Sequence, residues 1–159
     1  EHITEKYGIS ADQARANREQ IRTRAASVGF TMNRDDDSRV YNTFDAHRLL
    51  AWAKEKNRQA ELKLVLLKAY FTDGKNIADR KVLAELATQA GLDGVEASEV
   101  LGSDRFAQEV KEEEALWAQR GINSVPAVIV NDRYLISGGQ PPEVFEEQLR
   151  AILANGERE

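Results

Sequence analysis

At 159 residues with 42% hydrophobic side chains, the chain suits one domain, or one domain carrying a helical insertion. A net charge of −5 argues against nucleic acid, whose phosphates call for basic patches, and no stretch approaches the roughly 18 apolar residues of a membrane span. With no cysteine, it carries no disulfide, thiolate nucleophile or Cys-type metal site.

The chain opens on Glu1 rather than methionine, so processing or a partial chain is expected. The lack of a signal-peptide apolar region therefore says little about compartment. Ser10 with Gln13 forms a capping box for a first helix that stops at Gly29. Ala14, Ile21, Ala25 and Val28 give that helix only a thin apolar stripe, which predicts a surface position. A polar loop follows over residues 30–42. Its Asp35 to Asp37 run invites a cation, but without EF-hand spacing it reads as solvated. Thr43 is expected to cap the next helix, residues 44–57, with Asp45 near its positive end. Phe44, Leu49, Trp52 and Ala53 make its apolar face.

Residues 60–74 read as a second core helix, dense in Leu62, Val65, Leu66, Ala69 and Tyr70. Asp79 can cap a helix that Gly91 ends, and residues 95–102 form a short one. Ser103 is expected to cap a long helix over residues 104–121, with Phe106, Val110 and Trp117 inward and Glu112 to Glu114 solvated. After a hairpin, Gly138 and Gly139 make a flexible turn. Pro141 and Pro142 then suit the first positions of a final helix.

The hairpin, residues 127–137, pairs "AVIV" with "RYLIS" around Asn131-Asp132. An isolated two-stranded hairpin is marginal in water, and "VPAVIV" is apolar on both faces, which suits a central, doubly covered strand. No other segment reads convincingly as a strand. Further strands are therefore expected from outside this chain, most simply from a second copy in a homodimer that completes the sheet.

Glycine, a short spacer, Val-Pro, a strand, a turn, a second strand, "SGGQPPE" and a helix resemble the C-terminal half of a DsbA-like thioredoxin fold. "YNTFDAHRLLAWA" and the lead-in "KYGISADQARANREQIRTRAASVGFTMN" resemble the FrnE branch of that family, a group of thiol–disulfide oxidoreductases. Together the resemblance covers nearly the whole chain. It implies an α/β, thioredoxin-like (DsbA-type) fold with an α-helical insertion domain, here lacking the N-terminal βαβ part and its Cys-Pro-x-Cys. Residues 1–121 would be mainly the insertion domain, and residues 122–159 the closing ββα unit.

In such folds the residue before a cis-proline offers its backbone N–H and C=O to an extended substrate or to glutathione, so Val125 and Pro126 are expected at the substrate face with a cis bond between them. The other reading is a plain trans proline opening a strand. Gly139 and Gln140 are candidates for holding an end of a glutathione-like peptide, although helix-cap geometry explains them without a ligand. Asn42, Thr43 and His47 lie at a helix N-terminus, where free N–H groups favour a nearby thiolate; a capped core helix with an exposed His47 explains them too. Trp52 and Trp117 read as packing residues. His2 and His47 stand too far apart for a metal pair, so no metal is expected.

The implied reaction is dithiol–disulfide exchange with protein or small-molecule thiols, the catalytic cysteines lying outside this chain, with glutathione as a candidate co-substrate. A glutathione-dependent isomerase or kappa-class transferase shares the architecture but uses an N-terminal serine. A redox-inactive peptide-binding module is the third reading. No nucleic acid or membrane partner is expected, and the FrnE branch usually lacks a secretion signal, which by resemblance favours the cytoplasm.

Overall fold

The computed structural model describes residues 10–33 and 39–156. Among them run α1 (Ala11–Ser27), α2 (Phe44–Glu55), α3 (Gln59–Phe71), α4 (Arg80–Gln89), α5 (Gly94–Gly102), α6 (Ala107–Gln119), β1 (Ala127–Val130), β2 (Tyr134–Ser137) and α7 (Pro142–Gly156). The chain divides into two compact units, residues 1–110 and 111–159. The division falls inside α6, whereas the sequence places it just after that helix. The Asp35–Asp37 run lies outside the described residues.

Local chemistry starts and stops the helices of the first unit. The Ser10 hydroxyl accepts from Gln13 N–H at 3.2 Å and the Gln13 side chain accepts from Ser10 N–H at 3.0 Å, closing the capping box of α1. Ala14 is buried, but Ile21 and Val28 are exposed, so α1 is a surface helix. The start of α2 departs from expectation. Thr43 makes no side-chain cap bond; instead Asn42 Oδ1 accepts the Phe44 N–H at 2.8 Å. A shorter side-chain reach two residues back satisfies the orphan donor equally well. Helix α2 also ends two residues early, because Asn57 takes a left-handed φ of 55° that an Asn tolerates.

Asp79 accepts from Lys81 and Val82 N–H to cap α4, and Asp93 does the same for α5 through Val95 and Glu96 N–H. Between them Gly91, at φ 79°, closes α4: Gly91 N–H donates to Thr88 O and Leu92 N–H to Ala87 O. That paired arrangement needs a left-handed residue, which glycine supplies without a Cβ clash. Ser103 differs from expectation. Its hydroxyl accepts only a long bond from Arg105 N–H, 3.3 Å, and α6 starts at Ala107. Between them Phe106 sits at φ 61°, a left-handed conformation that costs a residue with a Cβ about 1–2 kcal/mol. Its ring packs against the core, which offsets that cost.

The core of this unit is built from α2 to α5. Leu49, Trp52, Leu62, Leu83, Leu86, Leu101 and Val100 are its largest fully buried side chains, and Ala53, Ala69, Ala87 and Ala97 let the helices approach. Each buried Leu contributes about 1.5–3 kcal/mol relative to an exposed one. Segment 30–33 is fastened to the end of α3: Thr72 Oγ1 donates to Thr31 O at 2.6 Å, and Asn33 N–H donates to Phe71 O at 2.9 Å. Phe30 meets Phe71 edge-on at 6.5 Å between ring centroids. One charge is inside. Arg48 is only 3% exposed, and no apolar pattern in the sequence marks it.

In the second unit β1 and β2 pair antiparallel, with Ala127 opposite Ser137 and Val130 opposite Tyr134. Asn131 and Asp132 both hold φ 54°, the pair of positive values that a tight hairpin turn with the strands' own twist requires. Helix α7 packs on β2, and Ile136 is buried. The double covering expected of "AVIV" is not what these residues show: Val128 is 41% exposed and Leu135, on the opposite sheet face, 49%. The sheet has two strands among the described residues, and one helix covers part of one face. Pro142 is the first residue of α7, as expected for a residue with no N–H to satisfy.

Candidate substrate-binding site

The register of the hairpin brings four of the expected site residues together. Gly138 N–H donates to Pro126 O at 2.8 Å, extending the ladder one step past Ala127. A Cβ placed on Gly139 would lie 3.8 Å from Pro126 Cγ, so the glycine backs directly onto the proline ring. Gln140 Nε2 donates to Ser137 O at 2.9 Å and Gln140 N–H to Gly138 O at 3.0 Å. The two ends of the hairpin and the entry to α7 are therefore one small structure. The Val125–Pro126 peptide bond is cis.

Val125 stands at the rim of this structure. The residue is 88% exposed. Its N–H and C=O have no hydrogen-bond partner among the described residues, whereas the next carbonyl, that of Pro126, is tied to Gly138. An exposed N–H and C=O on one residue beside a strand is what an extended peptide uses to add itself to a sheet.

Beside Gln140 lies a shallow apolar groove lined by Pro142, Phe145, Leu149 and Leu153 with Glu146 and Arg150. Leu149 and Leu153 are 41% and 68% exposed. Arg150 donates to Glu146 Oε1 at 2.7 Å along the same helix. The spacing of four among Phe145, Leu149 and Leu153 carries this stripe in the sequence.

Asn42, Thr43 and His47 belong to the first unit. They adjoin one another at the start of α2, where all three are exposed and His47 N–H donates to Thr43 O at 3.0 Å as part of the helix. Asn42 has a structural task there as the cap. Nearby, Asp45 is shared by two guanidiniums: Arg48 Nη1 donates to its Oδ1 at 2.7 Å and Arg80 Nε to its Oδ2 at 2.9 Å. Burial works against ionising Asp45, but the two arginine hydrogen bonds with their charges outweigh it and hold the carboxyl below its ordinary range. Glu96 is likewise held low by hydrogen bonds from Lys56 and Trp52. Trp52 is fully buried and Trp117 half-buried with the Arg120 guanidinium 5.1 Å from its ring centroid, so both are packing residues. Among the described residues no group of three or more His, Cys, Asp or Glu is placed to hold a metal ion, and no helix is long and apolar enough to cross a membrane.

Helices with a closing strand–strand–helix unit fit the thioredoxin-like class. Residues 2–150 match the DSBA-like thioredoxin domain, and the chain belongs to that family. It is similar to a probable DsbA oxidoreductase from Streptomyces coelicolor, at 37% identity and a TM-score of 0.85, over 96% of this chain and 65% of that one. A candidate protein disulfide isomerase from Nitrosomonas europaea, 20% identical with a TM-score of 0.71, shares the fold over 92% of this chain and 76% of its own. The uncharacterised protein YwbO of Bacillus subtilis is 31% identical over 100 residues, which are 62% of this chain and 49% of YwbO. The chain thus spans about half the length of this curated relative and 65% of the Streptomyces chain.

Proposed function

We propose that this chain is the helical insertion and closing ββα part of a DsbA-type thiol–disulfide oxidoreductase of the FrnE branch, acting in the cytoplasm on protein or small-molecule thiols and disulfides. The observation that carries the reading is Val125: an exposed residue whose backbone groups have no partner among the described residues, at the proline-led strand start of a chain in the DSBA-like family. The sequence holds no cysteine, so the nucleophile lies outside these residues. In the exchange a thiolate attacks one sulfur of the substrate disulfide and expels the other as a thiolate. A second cysteine then attacks the mixed disulfide, leaving the substrate reduced and the protein dithiol oxidised. The reverse sequence oxidises a substrate dithiol.

The role of residues 125–140 is to present the substrate. Val125 N–H and C=O form a short ladder with the extended backbone around the substrate sulfur. Gly139, having no side chain, keeps the approach beside Pro126 open, and Gln140 offers an amide to a peptide or glutathione end. The edge of the hairpin is paired with strands from elsewhere, most simply those of a second copy that completes the sheet.

The test is to express the complete open reading frame that encodes these residues beside the 159-residue chain, and to assay both for insulin reduction and for refolding of scrambled ribonuclease. Exchange is expected from the former, through an upstream Cys-x-x-Cys, and none from the latter. An upstream serine with glutathione-dependent turnover instead would overturn the reading.

A further inference from the structure

We propose that the turn Ser103–Phe106 is a locked hinge at the root of α6, and that Arg48 is its lock. Within the turn the Ser103 hydroxyl donates to Val100 O at 3.1 Å and accepts from Arg105 N–H at 3.3 Å. Ser103 N–H reaches Val100 O only at 3.4 Å, and Ala107 N–H closes on Asp104 O at 3.0 Å. Phe106 keeps a left-handed φ of 61° that a bulky side chain adopts only when its surroundings impose it.

Besides the core packing of the Phe106 ring, what holds the turn is one buried guanidinium. Arg48 donates Nε to Arg105 O at 3.0 Å, and Nη2 to Val100 O at 2.6 Å and to Ser103 O. Its remaining nitrogen, Nη1, is held by Asp45, which Arg80 anchors from α4. Three carbonyls at the end of α5 and in the turn thus share a single cation, placed at the negative end of a helix. Among the described residues Ser103 O and Arg105 O have no other donor. Removing Arg48 orphans both while the strain at Phe106 stays, so the turn opens. The buried core cluster of α2 to α5 closes without the turn, which adds only the partly buried Phe106 ring at its edge, so opening is local. The turn thus joins α5 to the start of α6 within the first unit, which extends to Val110.

Hydrogen exchange and limited trypsin digestion of the whole 159-residue chain test this, with Arg48→Lys and the milder Asp45→Asn, which leaves the guanidinium but loosens its seat. Both variants are expected to speed amide exchange over residues 104–110 by about tenfold or more and to expose the Arg105–Phe106 bond to trypsin, with exchange across α3 unchanged. Equal acceleration in α3 and α6, or none in either, overturns the proposal. So does an Arg48→Lys chain that fails to fold while Asp45→Asn exchanges like the parent, because Arg48 is then a pin of the whole cluster and not of the turn.

Discussion

The indole N–H of Trp52 on α2 donates to Glu96 Oε1 on α5 across 3.0 Å. Lys56 reaches the other oxygen of the same carboxylate at 3.0 Å. A fully buried aromatic ring thus ends in a polar contact at the edge of the core, where its one donor would otherwise be orphaned. Trp52→Ala removes the largest side chain in the cluster and is expected to cost about 3–5 kcal/mol, and Trp52→Phe clearly less because most of the volume stays. Glu96→Gln keeps an acceptor for the indole and should move the urea midpoint least of the three. A midpoint for Glu96→Gln as low as that of Trp52→Ala would show that the ion pair, and not ring burial, holds these helices.

Asp45 gives the first unit a dependence on pH. Its folded carboxyl is held below the ordinary aspartate value of about 3.9 by Arg48 and Arg80. The unfolded chain therefore binds more protons in the window between the two values. Stability from Asp45 is present in full above the unfolded value and is lost as pH falls through the folded one. The stability gap between the parent and Asp45→Asn is expected to be widest near neutral pH and to shrink below pH about 4. Urea unfolding at several pH values measures it, and a gap that widens with acid contradicts the assignment.

The helix starts offer a direct comparison between a side chain that caps and one that does not. Asn42→Ala and Asp93→Ala each remove an acceptor from a backbone N–H and should each cost about 0.5–2 kcal/mol. Thr43→Ala, at the position the sequence favours for the cap, removes no such bond and should leave the melting temperature close to the parent's. A large loss from Thr43→Ala with none from Asn42→Ala reverses the assignment.

These cases also mark what a sequence discloses. Ser10 with Gln13, Asp79 and Gly91 announce their helix ends because the chemistry is local, completed within three residues. Trp52, Leu62 and Leu66 announce the core through their spacing, and Asn131-Asp132 the hairpin. Once that turn sets the register, Pro126 must meet Gly138 and Gly139, so this half of the site was legible as well. Arg48 was not. Its carbonyl partners lie 52, 55 and 57 residues away, and an arginine beside His47 reads as a solvated face until the fold closes on it. The turn before α6 was hidden for the opposite reason: a left-handed phenylalanine contradicts its own local preference, and tertiary burial decides it.

Close packing of α4 on α5 predicts an effect from a residue with no side chain. A Cβ on Gly94 would run into Thr88 Oγ1, whose hydroxyl donates to Ala84 O at 3.1 Å. Gly94→Ala should therefore destabilise, since overpacking costs about 1–3 kcal/mol and alanine's helix preference counts for little at the first helical position. Thr88→Ala in the same chain opens the space, and the double variant is expected to be more stable than Gly94→Ala alone. If the two effects simply add, the clash is absent.

The substrate face makes the last prediction, and it needs no cysteine to test. If Val125 presents its backbone to an extended peptide, its N–H is exposed in the free chain and bonded in the complex. Titrating the ¹⁵N-labelled chain with a short apolar peptide should shift the Val125 amide resonance downfield and slow its exchange with solvent, with smaller shifts at Ala127 and Gly139. Val125→Pro deletes that donor, and the N–H it deletes has no partner among the described residues, so no internal hydrogen bond is lost with it. Binding should fall by about the value of one backbone hydrogen bond, 0.5–1.5 kcal/mol, or roughly two- to tenfold in Kd. Leu149→Ser interrupts the neighbouring groove and separates two kinds of contact. A peptide held by the ladder alone binds this variant normally, whereas one that also lies along α7 binds it more weakly and shifts Leu153. Resonance changes confined to α7, with Val125 unmoved and Val125→Pro binding as the parent does, would place the peptide on the helix and remove Val125 from the substrate face.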